Sequence, residues 1–167
     1  ADACASYRLL YERLEALDGT VLDSGRQDVA AAPLADTLAA ELDFSALLDE
    51  AQRRRTVFVC ELWQGEARLS GCVNAFVPNK HLELSDPGIR AKVSEKDGML
   101  VIALSVKSLA RFVELEFEDA DAIFSDNYFD ISPNQPASVS TPLPAGWDLK
   151  RARQALRVRS LYDSFAD

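Results

Sequence analysis

An apolar–polar alternation with a period of two recurs along most of this chain, and it confines the fold to antiparallel β-sheet with one face buried. The clearest run is Arg111-Phe-Val-Glu-Leu-Glu-Phe-Glu118, where Val113, Leu115 and Phe117 face a core and Glu114, Glu116 and Glu118 face solvent. Arg55 to Trp63 is rich in β-branched and aromatic residues and reads as a strand; Gln64-Gly65-Glu66 turns it back into Arg68 to Val77. Ile89 to Ser94 and Met99 to Ser105 flank Asp97-Gly98, a hairpin signal. Tyr7 to Ala16 and Thr20 to Leu22 flank Asp18-Gly19 in the same way, and Asp28 to Ala32 continues the second of these strands. Thr37 to Phe44 reads as another strand, with Leu38, Ala40 and Leu42 on one face. Tyr128 to Ile131 and Ala137 to Thr141 complete the set. Short strands, regular turns and little helix predict an all-β fold of immunoglobulin-like antiparallel sandwiches.

Two breaks organise the chain. Pro78 to Gly88 holds two prolines and a glycine and reads as an extended linker, so residues 1–77 form a partial sandwich and residues 78–145 a second immunoglobulin-like unit. Pro142 to Gly146 ends that unit. In residues 146–167, Asp148 caps a short helix to about Gln154, and Ala155 to Tyr162 alternates as a strand. Lys150, Arg151, Arg153, Arg157 and Arg159 make this tail basic, and it is expected to lie back across the acidic body.

Composition excludes several functions. Acidic residues outnumber basic ones 27 to 18, for a net charge of −9, whereas a nucleic-acid partner calls for a basic face. No stretch approaches the roughly 20 apolar residues of a membrane-spanning helix. The only histidine, His81, lies in the linker, so neither a Ser-His-Asp site nor a metal site is expected, and no cofactor motif is present. Of the three cysteines, Cys60 and Cys72 flank the 64–66 turn. A cross-strand disulfide is conceivable, but free thiols in a reducing, cytoplasmic compartment are favoured, with a periplasmic or secreted setting left open.

The segment Ile123-Phe-Ser-Asp-Asn-Tyr-Phe-Asp-Ile-Ser-Pro133 resembles the FSDNYFDL-x-PG signature near the C-terminus of β-mannosidases of glycoside hydrolase family two. Phe76 to Pro87 resembles that family's linker into its last immunoglobulin-like domain, and Leu104 to Leu115 its "l-t-a-x-x-l-A-r-x-V-x-l" strand pair. Order and spacing agree over residues 76–141. Residues 7–75 are similar, more weakly, to the preceding sandwich of the same enzymes. Asn134 departs from the family's usual glycine. Exo-β-glucosaminidases and endo-β-mannosidases carry similar C-terminal sandwiches.

The resemblance implies an accessory region of a hydrolase that removes terminal, non-reducing β-D-mannose, with the parent's catalytic barrel as partner. The catalytic glutamates of such enzymes sit on a (β/α)₈ barrel of about 250 residues, for which this 167-residue chain has no room, so no catalytic residue is assigned to it. Its many glutamates are expected on solvated strand faces. Within the signature, Phe124, Tyr128 and Phe129 are expected as core anchors, and Ser125, Asp126 and Asn127 as turn residues. The alternative is a stand-alone carbohydrate-binding sandwich that stacks glycans on exposed aromatics. Trp63 and Trp147 are its binding candidates, with Tyr11, Tyr128 and Tyr162 behind them; burial of Trp63 and Tyr128 in the core is the favoured reading.

Overall fold

The computed structural model describes residues 5–31, 36 and 38–166, with the backbone alone for residues 5–11 and 31. The chain divides into two compact units, Ala1–Glu83 and Leu84–Asp167.

The first unit is one four-stranded antiparallel sheet. Its strands are β1 (Ala5–Ala16), β2 (Val21–Ala31), β3 (Thr56–Gln64) and β4 (Ala67–Ala75), in the order β2-β1-β3-β4. Asp18-Gly19 turns β1 into β2 as its composition predicts: Asp18 Oδ1 accepts the Thr20 amide at 2.9 Å, and Gly19 has a φ of 87°. That contact holds the exposed Asp18 carboxyl below its ordinary range.

Residues 38–44 are irregular rather than strand, and Thr37 and Ala32 lie outside the described residues. Leucine, alanine, aspartate and glutamate fit a pleated surface poorly, and Leu38 is 82 % exposed. Phe44 is drawn in, with its ring 5.6 Å from Phe58 and 5.9 Å from Phe76. A one-turn helix, α1 (Glu50–Arg53), follows. It is closed by a reciprocal cap in which Asp49 accepts the Gln52 amide and Gln52 accepts the Asp49 amide, each at 2.8 Å. Beyond it, Arg54 donates to the His81 carbonyl and, with Arg55, pairs with Glu83, so the arginine run ties the linker down from an exposed position.

The second unit is a sandwich of two three-stranded sheets. Strands β5 (Arg90–Lys96), β6 (Met99–Ser105) and β9 (Ala137–Pro142) pair in the order β5-β6-β9. Strands β7 (Ala110–Phe117), β8 (Phe129–Ile131) and β10 (Leu156–Arg159) pair in the order β10-β7-β8. Asp97 and Gly98, with φ of 53° and 75°, form the left-handed two-residue turn that suits a hairpin. The core is made by the alternating residues of both sheets: Leu100, Ile102 and Leu104 from β6, Val113 and Leu115 from β7, Ile131 from β8 and Val139 from β9. The helix α2 (Leu149–Ala155) contributes Ala152 and Ala155 to this core. Its start is capped by Asp148 Oδ1, which accepts the Arg151 amide at 2.7 Å. Its Arg153 donates through Nη2 and Nε to the Val93 carbonyl of β5.

The basic tail does lie back on acidic surface. β10 is antiparallel to β7, with Arg157 opposite Glu116 and Arg159 opposite Glu114. Arg157 grips Glu118 through Nε at 2.7 Å and Nη2 at 2.6 Å, and Arg159 Nη2 reaches Glu116 at 2.6 Å. β10 thereby covers one edge of β7, which would otherwise be open to edge-to-edge pairing.

Candidate functional site

The signature segment 124–129 works as a clamp on the sheet. Asn127 Oδ1 accepts the Leu115 amide at 2.8 Å, and its Nδ2 donates to the Leu115 carbonyl at 3.0 Å. One side chain thus occupies the place of a strand residue beside β7. Ser125 donates its amide to the Ser140 carbonyl, and its hydroxyl accepts the Ser140 amide at 2.9 Å, which joins the segment to β9. Asp126 Oδ1 accepts the Asn127 amide and tightens the turn. Phe124 packs on Phe117, ring centroids 5.4 Å apart, and Phe129 is half-buried against the same core.

Tyr128 is not a core residue; it is 63 % exposed. Its φ of 61° turns the side chain outward, and its phenol donates to Glu114 Oε1 at 2.8 Å. That acceptor and its negative charge push the Tyr128 pKa up. Next to the signature, Asp130 accepts the Phe112 amide at 3.0 Å, and its Oδ1 stands 3.2 Å from Arg111 Nε. Burial pushes the Asp130 carboxyl up, against the opposing pull of the Phe112 amide and the Arg111 charge. Phe112 and Tyr128, both at positive φ, mark the irregular stretch where the β7–β8 register shifts. Asn134 is not in the left-handed region, so its turn closes without the family's usual glycine.

The aromatic binding candidates lie in different units. Trp147 is half-buried, with Phe117 edge-on at 5.4 Å and the Arg151 guanidinium 4.5 Å above its ring. A sugar would have to displace that arginine to stack there. Trp63 stands near the end of β3, directly opposite Arg68. It is half-buried, and its indole nitrogen is buried without a hydrogen-bond partner. Tyr162 is half-buried and edge-on to Phe165, while the Tyr11 side chain lies outside the described residues.

Three buried glutamates, Glu12, Glu15 and Glu61, overturn the expectation of solvated strand faces. Glu15 is fully buried and Glu61 is 4 % exposed. Arg13 bridges these two, paired with Glu15 Oε1 and, at 3.2 Å, with Glu61 Oε2; Arg68 takes Glu61 Oε1 at 3.2 Å. The β1–β3 register places Arg13 opposite Val59 and Glu15 opposite Val57, so the charges share a face with apolar neighbours; Glu15 is paired through Oε1, while its Oε2 is buried without a hydrogen-bond partner. Arginines engage both carboxylates. Sequence reasoning missed this network, because the partners are brought together by strand pairing over long separations. On the opposite face of the sheet, Phe44, Phe58 and Phe76 line an apolar cleft of about 390 Å³ with Glu12, Cys60 and Asn74. Among the described residues no cluster of three or more His, Cys, Asp or Glu is placed to hold a metal ion, and no helix is long and apolar enough to cross a membrane.

A four-stranded sheet, followed by a six-stranded sandwich whose signature loop is occupied by its own backbone, has the make-up of an accessory immunoglobulin-like region. Comparisons agree. Residues 10–81 match the family of mannosidase Ig/CBM-like domains, and residues 84–164 match the Ig-fold domain of mannosidases. The chain therefore carries two mannosidase-type immunoglobulin-like domains, one after the other. A β-D-mannosidase from Dictyoglomus thermophilum has the same fold, with a TM-score of 0.69 and 19 % identity over 93 % of this chain. The chain spans 18 % of that protein's length. No curated protein sequence matches it.

Proposed function

We propose that this chain is the non-catalytic, C-terminal accessory region of a β-mannosidase-like hydrolase of glycoside hydrolase family two, whose catalytic barrel removes terminal, non-reducing β-D-mannose. The observation that carries the reading is the succession of two mannosidase-type domains along one short chain, at residues 10–81 and then 84–164. The role of the two units is to pack against other domains of the parent. The signature loop supports this, since its polar side chains are spent on β7 and β9 rather than offered to a ligand.

The test is the mass of the native gene product, detected with an antibody against this chain, together with turnover of an aryl β-mannoside by the purified chain. A product several times heavier and no turnover are expected. A native product of this same small size, or turnover by the isolated chain, overturns the reading. The alternative, a stand-alone sugar-binding sandwich, draws on Trp63 and its unpartnered indole nitrogen. A saturable change in tryptophan fluorescence with mannose-containing oligosaccharides, lost in Trp63→Ala, would favour it.

A further inference from the structure

We propose that Cys60 and Cys72 form an intrachain disulfide site, oxidised by a low-molecular-weight disulfide of the glutathione type. The β3–β4 register sets the two residues directly opposite one another. Directly opposed residues in an antiparallel pair have Cβ atoms about 4.5–5.5 Å apart, and a disulfide takes about 3.5–4.5 Å, so a small approach of the strands suffices. The register shift between Leu62 and Trp63, two residues beyond Cys60, gives the ladder an irregular point at which to take up that approach. Both cysteines are free thiols in this structure.

The two sulfurs have different tasks. Cys72 is exposed and is the one an incoming disulfide reaches; Asn74 Nδ2 donates to its Sγ at 3.4 Å and orients it. Cys60 is half-buried beside the apolar cleft. Burial, and behind it the neighbouring Cys72, Glu12 and Glu61, push its thiol up to about 11.

Oxidation then runs in two exchanges. The Cys72 thiolate attacks one sulfur of the small disulfide, a bond forms between Cys72 and that sulfur, and the other half leaves as a thiolate that takes up a proton. The Cys60 thiolate next attacks Cys72 Sγ, the Cys60–Cys72 bond forms, and the second small thiolate leaves and is protonated. Two protein thiols are oxidised and one small disulfide is reduced to two thiols. The second exchange is slow near neutral pH. Burial, which is the largest cause of the raised Cys60 pKa and persists once Cys72 is capped, keeps most of Cys60 protonated at pH 7, and the thiolate is the nucleophile. The product would staple β3 to β4 in the wall of the Phe58–Phe76 cleft.

The experiment treats the whole chain with oxidised glutathione at a series of pH values, quenches with acid and maps tryptic peptides without reduction. Cleavage after Arg55, Arg68 and Lys80 puts Cys60 in peptide 56–68 and Cys72 in peptide 69–80, both separate from Cys4. The expected result is glutathione first on Cys72, then a linked 56–68/69–80 pair that a dithiol reverses. Its rate of appearance should rise about tenfold per pH unit from pH 7 to pH 9. Cys60→Ser should stop the chain at the Cys72 adduct. Glutathione remaining on Cys72 at pH 9 with no linked pair, an unreactive Cys72, or disulfides made through Cys4 alone would overturn the proposal.

Discussion

Asn127 holds Leu115 by both ends of its peptide group, accepting from the amide at 2.8 Å and donating to the carbonyl at 3.0 Å. A single amide side chain thereby replaces a length of strand beside β7, and the turn that carries it needs no regular pairing of its own. Only asparagine has this reach together with both a donor and an acceptor; glutamine is one methylene too long and aspartate lacks the donor.

Removing that clamp leaves a buried backbone donor and acceptor without partners. Asn127→Ala should cost about 2–4 kcal/mol in denaturant melts, and Asn127→Asp less than half of that loss, because it keeps the acceptor. A cost below about 0.5 kcal/mol for the alanine variant would mean that water replaces the side chain at no loss.

The two apolar positions of β8 should separate by burial. Ile131 is fully buried and Phe129 half-buried. Ile131→Ala is expected to cost about 3–4 kcal/mol, and Phe129→Ala about 2–3 kcal/mol, less than a fully buried phenylalanine would. Equal or reversed losses in urea titrations would place the core of this sheet on the other side of Phe129.

The acid-range behaviour of Asp130 follows from its burial. Its folded pKa lies above the ordinary 3.8, so its contribution to stability is fully present below that value and is lost as pH rises through the folded pKa. The stability of the native chain, relative to Asp130→Asn, should therefore fall as pH is raised from below 3.8. A relative stability that grows over the same range would show that the Arg111 charge outweighs burial at this carboxyl.

Tyr128 should ionise later than an ordinary tyrosine, since its proton is held by Glu114. Glu114→Gln is expected to move the tyrosinate absorbance midpoint of this residue down toward 10, with little change in thermal stability. An unmoved midpoint would mean that the hydrogen bond does not persist in solution.

The ion pairs of the tail are exposed and should matter less than the strand they decorate. Arg159→Ala is expected to lower stability by less than about 1 kcal/mol, with a difference that shrinks as salt is added. Deleting the chain from Leu156 onward removes β10 and opens the edge of β7, and aggregation at lower temperature is expected in light scattering. A soluble, undiminished truncation would show that the edge is protected by other means.

What the sequence determined by itself was local. The alternation of 111–118 names the buried face of β7, Asp97-Gly98 names the β5–β6 hairpin, Asp148 names the start of α2, and the tail's arginines point to the acidic row they join. Each of these depends on neighbours a few residues apart or on a repeating pattern, so the physics is legible in one dimension. The tertiary structure decided the rest. Glu61 is buried rather than solvated because strand pairing brings it to Arg13, 48 residues away. Tyr128 points outward because the Asn127 clamp and a left-handed backbone fix its direction, although the motif Phe-Ser-Asp-Asn-Tyr-Phe reads as three equal anchors. Residues 38–44 alternate as a strand would, yet they find no ladder, and Phe44 turns onto Phe58 and Phe76 instead. A period of two states which residues could share a face; a neighbouring strand, at long sequence separation, decides whether that face is buried and what it meets.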